Sequence, residues 1–146
     1  MARSVVFELS KKFALRVIRL YVYLKDERKE YVMSKQIYRC GTSIGANIAE
    51  SRFAQSDADY ICKLSIALKE ASETMYWLDL LHESDFISLK QYESLLNDVK
   101  TITGTLVNII NKIKKYFLSN FGKLSIGISV LSFIITLMLS IALKNR

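Results

Sequence analysis

Ser43-Ile44-Gly45-Ala46-Asn47-Ile48-Ala49-Glu50 sets small residues around two isoleucines four positions apart. Extended backward, Ile37, Cys40 or Gly41, Ile44 and Ile48 recur every three or four residues, which is one stripe of a helix. The pattern predicts a helix from Ser34 to about Gln55. Two glycines in its interior, Gly41 and Gly45, each cost about 1 kcal/mol relative to alanine. Something must offset that cost. A neighbouring helix that comes close where side chains are missing is the simplest account, and it marks Gly41, Gly45, Ala46 and Ala49 as close-packing positions.

The flanking sequence supplies the neighbours. Val6, Leu9, Phe13, Val17, Leu20 and Leu24 form a second stripe, predicting a helix from Ser4 to Arg28. The run Lys25-Asp26-Glu27-Arg28-Lys29-Glu30 ends it in solvent. A third helix is expected from Ser56 or Asp57 to Glu83, with Ser56 and Asp59 in a capping-box spacing and Tyr60, Leu64, Ala67, Ala71, Thr74, Leu78 and Leu81 on its inner face. A fourth runs from Ser88 to Phe117 along Tyr92, Leu95, Val99, Ile102, Leu106, Ile109, Ile113 and Phe117, with Ile110 beside that seam. Short linkers near 29–33, 55–57 and 84–88 make consecutive helices antiparallel neighbours. The expected fold is all-α, an antiparallel up-down-up-down four-helix bundle of residues 1–117, with an extra apolar C-terminal helix in residues 118–146.

Composition agrees. The 146 residues contain no proline, five glycines and 51% hydrophobic residues, which excludes a disordered chain and disfavours a turn-rich sheet protein. Cys40 and Cys62 cannot build a disulfide scaffold, and both read as small core residues in a reducing compartment. The formal net charge is +7. It is unevenly spread: residues 1–40 carry +6, residues 41–85 carry −5, and residues 86–117 and 118–146 carry +3 each. The surplus suits an anionic partner, either nucleic acid or lipid headgroups.

Leu124 to Leu143 holds twenty residues without a charge, long enough as a helix to span the roughly 30 Å hydrocarbon core of a bilayer. Ser125 and Ser129 would let two such helices approach closely. The stretch reads as a membrane anchor or as an apolar helix packed on protein. Positive groups flank both of its ends, so charge bias gives no orientation.

The string in the second helix, with Gln36, Tyr38 and Arg39 before it, Asp59-Tyr60 at the start of the third helix, and Ala67, Glu70, Ala71, Ser72 and Glu73 midway along it, resembles a family of small bacterial four-helix bundles. The family is that of the proteins encoded by intervening sequences of 23S ribosomal RNA genes. Phe13-Ala14 also fits, and the resemblance covers residues 4–117. It implies a bundle that assembles into a homo-oligomer, typically a pentameric barrel. A related branch resembles the accessory variability protein of diversity-generating retroelements, which binds nucleic acid and a reverse transcriptase. The apolar tail departs from the family pattern and puts a purely cytoplasmic life in doubt.

Three positions of the string, Ser43, Asn47 and Glu50, share one helix face. They are expected to form a polar network that fixes helix register, or alternatively a ligand site, with partners from the backbone, from Ser72 or Thr74, or from Arg16 or Arg19. Catalytic and metal patterns are missing. His82 reads as a favourable group near a helix C-terminus. No CxxC or HExxH occurs, and Glu70 and Glu73 lack the Glu-x-x-His partners of di-iron bundles. No cofactor is expected.

A basic ridge of Lys12, Arg16 and Arg19 on the first helix, with Lys11 and Tyr23 nearby, is the stronger lead. Lys112, Lys114 and Lys115 add charge, with a second reading as lipid-binding juxtamembrane groups. Repeated around a ring, the ridge would give a dense positive surface for phosphates. The sequence thus points to a non-enzymatic, self-associating bundle that binds RNA or DNA and a nucleic-acid-processing protein. The alternative is a membrane-tethered interaction module. The bundle is expected in the cytoplasm, with residues 124–143 as a candidate inner-membrane anchor.

Overall fold

The computed structural model describes the backbone of residues 5–144 and the side chains of residues 5–119. Four helices follow one another: α1 Val5–Asp26, α2 Met33–Ser51, α3 Asp57–Glu83 and α4 Leu89–Lys144. The turns between them are short, so each helix runs back along its predecessor and the four form a bundle. Two compact units divide the chain, Met1–Ile110 and Asn111–Arg146.

Helical periodicity selects the core almost residue by residue. Val6, Phe13, Val17, Leu20 and Leu24 of α1 are buried with Ile37, Cys40, Ile44 and Ile48 of α2, Leu64, Ala67, Ala71, Leu78 and Leu81 of α3, and Leu95, Val99, Ile102, Leu106 and Ile110 of α4. Of the expected stripes, Tyr60, Tyr92, Ile113 and Phe117 are only half-buried, and at two places a neighbouring residue takes the inner position. Ser10 is buried while Leu9 packs only partly, and Ile110 is buried while Ile109 packs at the edge. Ser10, Ser34, Ser51 and Thr74 enter the core because each hydroxyl donates to a carbonyl three or four residues back, so none carries an unmet bond inside.

Helix ends correct the sequence reading at three places. First, α2 stops at Ser51, ahead of the expected Gln55, because the Phe53 N–H donates to the Glu50 carbonyl and the Ala54 N–H to the Ser51 carbonyl, tightening the chain into a turn. Second, the Ser56 hydroxyl does accept from the Asp59 N–H, but Asp59 answers by accepting from the Gln55 N–H. Third, α4 continues to Lys144, so the expected separate tail helix and helix four are one element. No proline lies between Phe117 and Leu124, and the helix continues through Asn120 and Gly122, residue types that often end one. The expected N-cap Ser4 and the apolar character of residues 124–143 lie outside the described residues and side chains. Among the described residues no helix is long and apolar enough to cross a membrane.

Glu30 is the largest departure. It belongs to the charged run expected in solvent, yet it is 8% exposed. Lys29 takes a left-handed φ of 54°, which turns the chain so that Glu30 folds back onto the start of α2. Its carboxylate accepts from the N–H groups of Val32 at 2.9 Å, Met33 at 2.8 Å and Ser34. It serves the orphan donors that Val32, at the N-cap, has no side-chain oxygen to serve. Burial pushes the Glu30 carboxyl up, but the three backbone donors and the Ser34 side chain outweigh burial and hold it below its ordinary value.

α1 and α2 meet at the glycines. A Cβ added at Gly41 would lie 2.9 Å from both Cγ1 and Cγ2 of Val17. Val17 is fully buried and β-branched, so rotating it replaces one methyl clash by another. At Gly45 the nearest atoms belong to Ser10, at 3.6 Å and beyond, which is ordinary contact.

These two positions should therefore respond oppositely. Gly41→Ala should lower stability by about 1–2 kcal/mol, because overpacking exceeds the gain in helix propensity. Gly45→Ala should be neutral or raise it by up to about 1 kcal/mol. Urea melts check both, and Val17→Ala should partly restore the Gly41→Ala chain in a double-mutant cycle. For Glu30, the folded carboxyl titrates below its unfolded value, so its stabilisation is present above about pH 4.5 and lost as pH falls through the folded value. Glu30→Gln should flatten that acid limb and lower stability at neutral pH by about 1–2 kcal/mol, read from denaturation midpoints across acid and neutral pH.

Candidate nucleic-acid interface

With the core stripe of α1 turned inward, Lys12, Arg16 and Arg19 fall on its flank and face the seam with α4. Lys12 and Arg19 are exposed and Arg16 is half-buried. Arg16 is held: one guanidinium nitrogen pairs with the Asp98 carboxylate, and another donates to the Ser94 hydroxyl at 2.8 Å. Among the described residues Lys12 and Arg19 make no ion pair.

Two grooves run along this seam. One, of about 290 Å³, is lined by Arg16, Arg19, Leu20, Tyr23, Gln91 and Leu95. The other, of about 220 Å³, is lined by Leu9, Lys12, Arg16, Asp98, Thr101 and Ile102. Arg16 stands between them. The structure thus brings the three basic residues onto one edge, and adds α4 partners that the sequence reading did not single out. Ser94 and Asp98 lie 78 and 82 positions from Arg16 along the chain. No local pattern signals a pairing of that separation.

The small-residue string sits on α2 as a helix. The family model described as 23S rRNA-intervening sequence protein matches residues 3–108. The chain belongs to that family. A crystal structure of a protein of unknown function from the S23 ribosomal protein family of Bacteroides thetaiotaomicron VPI-5482 is similar at 57% identity. That match covers 73% of this chain and 98% of the other, with a TM-score of 0.72. No curated protein matches the chain.

In this member of the 23S rRNA-intervening sequence protein family, the polar positions of the string do not join into one network. The Asn47 amide donates to the Ser43 carbonyl at 2.9 Å, within the helix. Glu50 is exposed and accepts from Lys63 of α3 at 2.6 Å, and not from Arg16 or Arg19. The reason is geometric: this face of α2 looks toward α3, while the basic flank of α1 looks toward α4. A second pair, Arg39 with Glu73 at 3.1 Å, ties the same α2–α3 seam. Of the close-packing positions, Gly41 is buried and Gly45 and Ala49 are half-buried, but Ala46 is exposed on the outer face.

His82 lies in the last turn of α3, stacked on Tyr92 at 4.7 Å, and the Tyr92 hydroxyl donates to Asp79 at 2.8 Å. The Glu70 carboxyl is held above its ordinary value, first by burial and then by the charge of Glu73, with Arg39 opposing. Among the described residues no group of three or more His, Cys, Asp or Glu is placed to hold a metal ion. Lys112, Lys114 and Lys115 are exposed and belong to the second compact unit.

The cysteines separate, against the reading of both as core. Cys40 is fully buried and burial pushes its thiol up to about 11, whereas Cys62 is exposed. An aromatic disulfide reagent at neutral pH should therefore titrate Cys62 in the folded chain and Cys40 only after denaturant is added, as absorbance of the released thiolate would record.

Proposed function

We propose that this protein is a non-enzymatic, self-associating helical bundle that binds nucleic acid as a scaffold for ribonucleoprotein assembly. One observation carries the reading: Lys12, Arg16 and Arg19 line up along a continuous edge of the α1–α4 seam, and two of the three have no acidic partner among the described residues. Cations left unneutralised on one edge release counterions when they meet phosphates, which drives salt-sensitive association with little sequence preference. The Arg16 pair with Asp98 is about one-third exposed on each side, so it stabilises by less than about 1 kcal/mol and serves to aim the guanidinium along the edge. That the family takes its description from 23S rRNA supports the same class of partner.

Self-association is supported by the outer face of α1. Leu15, Ile18 and Val22 are 48%, 38% and 48% exposed and stand on the side away from the core stripe. The rings of Tyr21 and Tyr38 meet at a tilt with centroids 5.0 Å apart, and Ala46 of α2 is exposed. A helix that is apolar on its outer face as well as its inner one matches a surface covered by a second copy.

Full-length protein should bind short RNA at low salt, with affinity falling steeply as salt rises. Replacing Lys12 and Arg19 together by glutamine should weaken binding about tenfold or more and reduce the log–log salt slope by about 1–2. Fluorescence anisotropy over a salt series checks this, and no binding at low salt would overturn the nucleic-acid reading. Light scattering on Ile18→Glu should show a lower mass than the unmodified chain.

A further inference from the structure

The groove beside Arg19 has a chemistry that a plain basic surface lacks. None of the residues lining it is acidic: two guanidiniums, Arg16 and Arg19, share it with Tyr23, Gln91, Leu20 and Leu95. Leu20 and Leu95 are core residues whose edges surface there, at 7% and 5% exposure, and they give it an apolar floor. Gln91 is fixed by its own helix start, because its Oε1 accepts from the Ser88 N–H at 2.8 Å and the Ser88 hydroxyl at 2.9 Å. That leaves the Gln91 amide N–H groups to donate elsewhere. The half-buried Tyr23 ring adds an aromatic surface. Arg16, already oriented by Asp98 and Ser94, keeps further N–H donors for an anion.

We propose that this groove is a subsite for one unpaired nucleotide of a single-stranded nucleic acid. Arg16 and Arg19 hold its phosphate, and the base lies on the Leu20–Leu95 floor against Tyr23, with Gln91 donating to an acceptor on the base edge. The inference rests on the nucleic-acid reading above and deepens it by choosing the strand form. A duplex turns its bases inward and offers this chain only phosphates, which meet the rim at Lys12 and Arg19 and leave the apolar floor and the ring unused. An unpaired nucleotide uses all of them, since every base has a face that stacks on an aromatic ring.

The test compares a short oligouridylate with an RNA duplex of the same length, both binding full-length protein at low salt. The single strand should bind about tenfold more tightly. Tyr23→Leu, which removes the ring without changing charge, should lower single-strand affinity about tenfold while leaving duplex affinity and the salt slope unaltered. Tyr23→Phe should retain the single-strand affinity. A thiouridine-bearing strand irradiated on the unmodified protein should crosslink to the peptide containing Tyr23, a readout independent of any effect of substitution on folding. Equal affinity for strand and duplex, or crosslinks confined to other peptides, would overturn the subsite while the broader reading stands. Failure of both nucleic acids to bind would overturn both.

Discussion

The contact between Val17 and the missing side chain of Gly41 governs how the rest of the molecule is arranged. Two buried methyl groups of α1 sit where a β-carbon of α2 would be, so the two backbones lie closer than ordinary side chains allow. Seven residues earlier on α1, Ser10 meets Gly45, four residues later on α2, as an antiparallel pair requires. Together these contacts fix the rotation of α1 about its own axis. With Val17 and Ser10 turned to α2, the row Lys12, Arg16 and Arg19 has to face α4, and Leu15, Ile18 and Val22 have to face outward. The candidate site and the candidate self-association face are therefore consequences of one close approach. Intrinsic helix propensity opposes Gly41, and packing overrides it.

Electrostatics then operates on a frame that apolar packing has set. The net charges of +6 in residues 1–40 and −5 in residues 41–85 suggest wholesale neutralisation between neighbouring helices. Among the described residues, individual pairs link particular helices instead. Arg39 meets Glu73 and Lys63 meets Glu50 across α2 and α3, and Arg16 meets Asp98 across α1 and α4. Exposed pairs of this kind contribute little to stability, so they register helices more than they hold them together. The uncompensated remainder on α1 is what gives the α1–α4 edge its sign. Glu30 shows the opposite case, a carboxylate drawn inside because three backbone donors at a helix start lack any other acceptor.

The site was partly legible. Lys12, Arg16 and Arg19 share a flank because the helix repeat puts them there, whatever surrounds them. Their α4 neighbours were not legible, because Gln91, Ser94 and Asp98 carry no local mark of being opposite α1. The polar trio Ser43, Asn47 and Glu50 shows the reverse error. A shared face does not make a network when a nearer carbonyl takes the Asn47 amide and Lys63 takes Glu50. Cys62 was misplaced for a similar reason: small size allows burial but does not demand it.

The sequence by itself determined the helical class, the number of helices in the bundle, most of the buried stripe on each and the need for close packing at α2. All of these follow from periodicity and propensity, which act over a few residues. Only the tertiary structure decided that Val17 fills the space at Gly41, that Glu30 turns inward, that Ser10 displaces Leu9 from the core, and that Arg16 is held against α4 with grooves on either side. Those outcomes depend on which surfaces meet across long stretches of chain, where the relative rotation of two helices selects among partners that local sequence leaves equivalent.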